Sequence, residues 1–201
     1  MTDFATLKTD IADYMARSDL TSVIPTFVRL CESRIRDVVR VRDMETAGDL
    51  TISSQSTALP TGFLGLRRFI IDSTTYRKME YVSPDEAWRD LGTITSGNPE
   101  KYTIEGGNLI VFPPPGSSVT GKLTYYKAYD ALTNDADTNW LLTNAYDVYL
   151  YGSLAEAKAY IEDDEQATKW IGQFNEAVTR VNETARKGRH GPILRRGGNA
   201  P

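Results

Sequence analysis

Residues 101–112 read Lys101-Tyr102-Thr103-Ile104-Glu105-Gly106-Gly107-Asn108-Leu109-Ile110-Val111-Phe112, and their pattern decides the fold class. Two short β-rich runs flank Glu105-Gly106-Gly107-Asn108, where glycine supplies the positive φ that a tight hairpin turn needs. The stretch reads as a β-hairpin and makes the middle of the chain an antiparallel region. Working outward, strands are expected at Leu50-Thr51-Ile52, 67–72, 76–82 and 119–126, each bounded by turn residues. Asp72-Ser73-Thr74-Thr75 is a second, weaker hairpin signal. Ser83-Pro84-Asp85-Glu86 reads as a capping box with proline at the first helical position, opening a short helix to about Leu91.

Outside this region the period changes from 2 to 3.6. Residues 2–17 bring Phe4, Leu7, Ile11 and Tyr14 or Met15 onto one helical face. A second helix is expected from Thr21-Ser22 to about Val41, with Pro25 tolerated in its first turn. Its stripe is Ile24, Phe27, Val28, Cys31, Ile35, Val38 and Val39, which makes Cys31 a small core residue. One long helix is expected from Asn139 or Trp140 through Ile161. The run Glu162-Asp163-Asp164-Glu165 ends it and places negative charge at the start of the next. That last helix carries Ala167, Trp170, Ile171, Phe174, Ala177, Val178, Val181 and Ala185, and stops at Gly188. The expected fold is therefore α+β. Residues 1–43 and 131–187 form a helical bundle, and residues 44–130 an inserted small antiparallel β-domain, barrel- or sandwich-like. Residues 188–201 form a flexible basic C-terminal arm.

Composition narrows the function. The chain has 201 residues, 40% hydrophobic and 25% charged, enough apolar material for a core. No apolar run approaches the roughly 18 residues that span a bilayer. Met1-Thr2-Asp3-Phe4 carries no basic or apolar leader, so assembly in a cytoplasm and no membrane partner are expected. Cys31 is the only cysteine and His190 the only histidine, which excludes an intrachain disulfide and a zinc site of Cys and His. A nucleophile joined to a His base would have to use His190, which lies among glycines and arginines. Asp135, Asp137 and Asn139 alternate as in a calcium loop. Trp140 and Tyr146, however, stand where that loop needs glycine and glutamate, so a polar loop capping the Trp140 helix is expected instead. No catalytic residue, no metal and no cofactor are expected, and the protein does not read as an enzyme.

Three features read as contact surfaces. The last sixteen residues hold Arg186, Lys187, Arg189, Arg195 and Arg196 and no acid. The remaining 18 basic and 27 acidic side chains leave the body at −9 against +5 for the tail, a split that suggests the tail meets a partner. Pro113, Pro114 and Pro115 make a stiff exposed loop, because consecutive prolines fix φ and cannot join a ladder. Tyr146, Tyr149, Tyr151 and Tyr160 stud one helix on more than one face, so some of these rings are candidates for a subunit interface.

In order and spacing, the chain resembles the head–tail adaptor proteins of tailed bacteriophages, also called connector or head-completion proteins and, in some short-tailed phages, tail tubular protein A. The resemblance rests on elements from Leu59 to Ala157. They are Leu59-Pro60-Thr61-Gly62-Phe63, Met79-Glu80-Tyr81-Val82-Ser83-Pro84, Gly97-Asn98-Pro99, Leu109-Ile110-Val111-Phe112-Pro113-Pro114, Leu123-Thr124-Tyr125-Tyr126-Lys127, Asn139-Trp140-Leu141-Leu142 and Tyr149-Leu150-Tyr151-Gly152-Ser153-Leu154-Ala155-Glu156-Ala157. It implies a structural virion protein of the neck, docked as a ring, usually of twelve copies, beneath the portal protein. The ring would extend the DNA channel and carry the next tail protein, a nozzle or tail tube. It further implies that the arm reaches the portal, with Ile193 and Leu194 as its apolar anchor and Arg186, Lys187, Arg189, Arg195 and Arg196 as its charges. Pro113, Pro114 and Pro115 become a candidate tail-side loop. A nozzle or tail-terminator subunit, or a DNA-binding accessory protein, are the alternatives. Genomic double-stranded DNA would pass an acidic body without sequence-specific binding, since holding phosphate requires basic neutralisation. The expected outcome of a gel-shift titration on short duplex at physiological salt is no complex in the nanomolar range.

Overall fold

The computed structural model describes residues 2–72 and 77–187. Met44–Ala128 form one compact unit, and the chain on either side of it forms the other. The flanking unit is helical: α1 (Phe4–Met15), α2 (Ile24–Val38), α4 (Trp140–Asn144), α5 (Tyr146–Tyr160) and α6 (Asp164–Lys187). The middle unit holds β1 (Glu45–Ile52), β2 (Ser56–Ala58), β3 (Phe63–Asp72), β4 (Arg77–Lys78), β5 (Glu80–Tyr81), α3 (Pro84–Leu91), β6 (Lys101–Glu105), β7 (Asn108–Phe112) and β8 (Val119–Lys127). The α+β class expected from the sequence is what the chain adopts.

Among the described residues the strands make two sheets and no closed barrel, in the orders β1-β8-β3-β4 and β2-β7-β6-β5. Gly106 and Gly107 turn the β6–β7 hairpin with φ of 56° and 78°, the geometry the double glycine implies. Ile52, Phe69, Ile71, Leu123 and Tyr125 of the first sheet share a core with Leu109 and Val111 of the second, so the sheets face each other as a sandwich. The alternate β7 residues, Ile110 and Phe112, pack on the other face against Val82 and against Ala87 of α3. That two-sided burial is why 109–112 is apolar throughout rather than alternating. Gly121 sits where a Cβ would stand 2.7 Å from the Phe69 ring and 2.9 Å from Ile52, so the β1–β8–β3 packing admits no side chain there.

In the helical unit α5 contacts α1, α2, α4 and α6. It buries Val148, Tyr149, Leu150, Gly152, Ser153, Leu154, Ala155 and Ala157, residues that cover its whole circumference, as a central helix must. Cys31 is fully buried, as expected, with its sulfur 3.7 Å from the carbonyl oxygens of Val148 and Tyr149. A Cβ at Gly152 would collide with that sulfur and lie 3.0 Å from Phe174 Cδ2. The expected polar loop is present: Asn139 caps α4, its side chain accepting from Leu142 N at 2.9 Å. Asp3 caps α1 by accepting from Thr6 N.

The structure differs from the sequence expectation in several details: β1 and β3 begin earlier than expected, at Glu45 and Phe63, and β2 is not among the expected strands. The second helix stops at Val38, and Val39 continues extended and fully buried, while Val38 is 45% exposed. The expected strand 76–82 is cut at Met79, a buried residue whose N–H bonds Phe69 O. β4 pairs with β3 in one sheet and β5 with β6, in parallel, in the other. The long helix expected from Trp140 to Ile161 breaks at Ala145, with φ −144° and ψ 58°. The buried positions Leu141, Leu142, Ala145, Val148 and Tyr149 keep helical spacing straight through the break, so periodicity alone cannot reveal it. Ser83 stands at the N-cap of α3 but makes no side-chain capping bond. Pro113, Pro114 and Pro115 are half-buried rather than exposed: Gly97 N donates to Pro114 O at 2.8 Å, and the Pro113 ring sits against Gly97. The weaker hairpin signal at Ser73, Thr74 and Thr75, and the helix stop at Gly188, lie outside the described residues.

Gly152→Ala is expected to destabilise the helical unit by about 1–3 kcal/mol, the usual cost of overpacking a core. Chemical denaturation of Gly152→Ala, Cys31→Ala and the double variant checks this. The double variant should be more stable than the two single losses predict in sum, because removing the sulfur relieves the clash.

Candidate functional site

Most of the polar groups that burial perturbs in the helical unit are tied into its own structure; the Tyr129 hydroxyl, buried with no hydrogen-bond partner among the described residues, is the exception. Burial raises the Cys31 thiol to about 12, so it remains a neutral core group. Tyr149 is 1% exposed; its hydroxyl accepts from Asn139 Nδ2 at 2.8 Å and donates to Glu32 Oε1. Glu32 Oε1 also accepts from Leu132 N at 2.9 Å, while burial holds its pKa above the usual carboxylate range. Tyr146 donates to the Asp10 carboxylate, and Arg180 donates to Asp147. The aspartates of the 133–139 loop are committed in the same way. Asp137 accepts from Thr133 N, Thr133 Oγ1 and Asn134 N at 2.8, 2.9 and 2.7 Å, and Asp135 pairs with Lys8. Among the described residues no group of three or more His, Cys, Asp or Glu side chains is placed to hold a metal ion. No described helix is long and apolar enough to cross a membrane.

Of the four candidate interface tyrosines, Tyr149 is therefore a core residue and not at the surface. Tyr146 is half-buried through its bond to Asp10, and Tyr151 is half-buried against the Trp170 ring, 5.5 Å between centroids. Tyr160 alone of the four is well exposed, at 59%, and it packs on Phe27 at 5.4 Å. The structure thus spreads these rings around α5 instead of gathering them on one face. Tyr14, 56% exposed, meets Trp170 edge to face at 6.0 Å. On the β unit, Tyr81, Trp88 and Ile94 are exposed, with Trp88 Nε1 donating to Glu105. Of the two alternatives for the α1 face, Met15 is the one buried and Tyr14 is left outside, while nothing along the chain marks Trp88 as exposed. Of the arm, Arg186 is exposed and Lys187 is the last residue of α6. Arg189, Ile193, Leu194, Arg195 and Arg196 lie outside the described residues.

Near its end α6 leaves the core. Ala177 and Val178 are buried, but Val181 and Ala185 are half-buried and line a hollow of about 440 Å3 with Arg42, Asp43, Trp140, Asn144 and Ala145. Trp140 lies parallel to the Tyr129 ring, centroids 6.4 Å apart, and stays 36% exposed. The rim carries Arg180, whose charge Asp147 already engages. The signal in the sequence was an apolar α6 stripe running one turn farther than the bundle core could use, although the stripe itself reads only as core.

The bonds that Asp137 accepts from Asn134 N, Thr133 N, Thr133 Oγ1 and the Asn134 amide hold its pKa at about 2, against 3.8 for a free aspartate. A lowered carboxylate stabilises the fold above its unfolded pKa and loses that contribution as pH falls through the folded one. Asp137→Asn should therefore melt below the parent protein near neutral pH, with the gap closing as pH falls towards about 2. Thermal melts across that range measure it.

Compared with known proteins, the chain matches the model of the SU10 adaptor protein family over residues 2–196. No curated protein matches it.

Proposed function

The chain belongs to the SU10 adaptor protein family, and from that premise we propose that it joins head to tail in a phage particle as a ring beneath the portal. The family places it as a structural component of the virion at the head–tail junction. The finer reading is a ring of twelve copies that extends the DNA channel and offers a platform to the next tail component. What supports the adaptor role is the extent of the match, which takes in both compact units and continues past α6.

A closed ring built head to tail needs two different surfaces on each subunit. In the helical unit, Tyr14 and Tyr160 supply exposed aromatic rings on α1 and α5, while Leu30 and Val38 expose aliphatic side chains on α2. The β unit presents Tyr81, Trp88 and Ile94, large side chains of the kind that anchor interfaces. The proline loop, half-buried and bonded to Gly97, would serve the tail side as a rigid shoulder rather than a projecting finger. The body's charge of −9 supports passage of DNA without capture. The basic tail beyond Arg186 would meet the portal, its guanidinium groups pairing bidentately with carboxylates.

Co-sedimentation with portal rings from the same genome tests this, using the full-length chain and one ending at Lys187. Pelleting of the full-length protein alone is expected. Binding by both forms would keep the adaptor and discard the arm. Binding by neither would move the protein farther down the tail, towards a nozzle or terminator position.

A further inference from the structure

No described residue of the helical unit fills the hollow at the end of α6, and its volume falls within the roughly 300–1,000 Å3 range of ligand pockets. Trp140, Ala145, Val181 and Ala185 make its lining apolar in part, and Arg42, Asp43, Asn144, Arg180 and Thr184 supply its polar groups. Two residues beyond Ala185 the helix ends, and fourteen residues follow. In those fourteen the large apolar side chains are Ile193 and Leu194, adjacent to each other and preceded by Pro192. The family match runs through residue 196, so it takes in this triplet and stops short of the glycine-rich end.

We propose that the hollow is the receptor for residues 192–194 of the same chain, which return to it and bury Ile193 and Leu194 on Trp140, Val181 and Ala185. Geometry permits the return. Six Cα–Cα steps lead from Lys187 to Ile193, a reach of up to roughly 20 Å, whereas Ala185 lies only about 3 Å back along the helix axis. The choice of the chain's own segment follows from tethering. So short a connection presents the triplet at an effective concentration on the order of millimolar, which a second copy in dilute solution cannot match. The contact is mainly apolar, because Asp147 already engages Arg180 and Asp43 is the one carboxylate among the residues that line the hollow. The free protein thereby keeps Ile193 and Leu194 out of water until another surface draws them away. This inference does not rest on the portal reading, and its test contains no portal.

The test is thiol footprinting of the full-length chain. Ala185→Cys places a reactive group on the floor of the hollow, and alkylation by iodoacetamide is followed by mass spectrometry. The buried Cys31 acts as an internal unreactive reference. Alkylation is expected to be at least tenfold slower than in the same chain carrying Ile193→Ser and Leu194→Ser. The rate should not change over a hundredfold dilution or with added salt. Tyr14→Cys, elsewhere on the unit, should react equally in both backgrounds, which reports an intact fold. A chain ending at Lys187 gives a second arm-free state should the serine variants misfold. Equal rates with and without the triplet would overturn the proposal and leave the hollow open to a different protein. Protection that disappears on dilution would overturn it in favour of a neighbouring copy's segment.

Discussion

The helical unit depends on the closeness of three helices at one point. Gly152 of α5 lies against Cys31 of α2 and Phe174 of α6, and the absence of a side chain at residue 152 permits the approach. Ser153, Ala155 and Ala157 extend this small-residue surface along the same helix. The contact between Cys31 and the start of α5 spans 117 residues of sequence, so it closes a long loop and joins the two ends of the chain into one core. The wide separation also explains why an entire β unit can be accommodated between the halves. Once the two helical segments close on each other, the intervening chain needs only its own core.

That second core rests on β7. Its four apolar residues divide between two environments, Leu109 and Val111 towards the facing sheet and Ile110 and Phe112 towards Val82 and towards Ala87 of α3. A strand covered on both faces cannot slip register by one residue without exchanging one apolar environment for another, so register here is fixed by the hairpin turn. Gly106 and Gly107 supply that turn, and Gly121 lets β8 lie close enough to Phe69 and Ile52 for the sheet to pack.

An adaptor works through its surfaces, and burial decides which rings remain available for contact. Tyrosine is suited to an interface because it is amphipathic, but the same property lets it serve inside a fold when its hydroxyl finds a partner. Tyr149 and Tyr146 find theirs in Asn139, Glu32 and Asp10. Tyr160 lies against Phe27 of α2 on one side and leaves its ring 59% exposed. The polar loop of residues 133–139 is similarly inward in purpose. Its carboxylates and amides hold loop backbone, α4 and Lys8 of α1, so they are structural rather than ligating.

The sequence by itself determined the α+β class, the glycine hairpin, the helical faces and the burial of Cys31. Each depends on local φ requirements or on a period that survives in one dimension. It also carried the resemblance that membership of the adaptor family bears out. Tertiary structure alone decided the break at Ala145, since apolar spacing passes through it unchanged, and the division of 76–82 between two sheets, since either sheet could use that run. It decided the fate of the tyrosines and of the proline loop, because a partner such as Glu32 or Gly97 lies far away or out of phase along the chain. It also created the hollow beside Trp140, where the α6 stripe outlasts the helices that cover it. Periodicity shows which face of a helix is apolar; whether another element is there to cover it depends on where the chain returns in space.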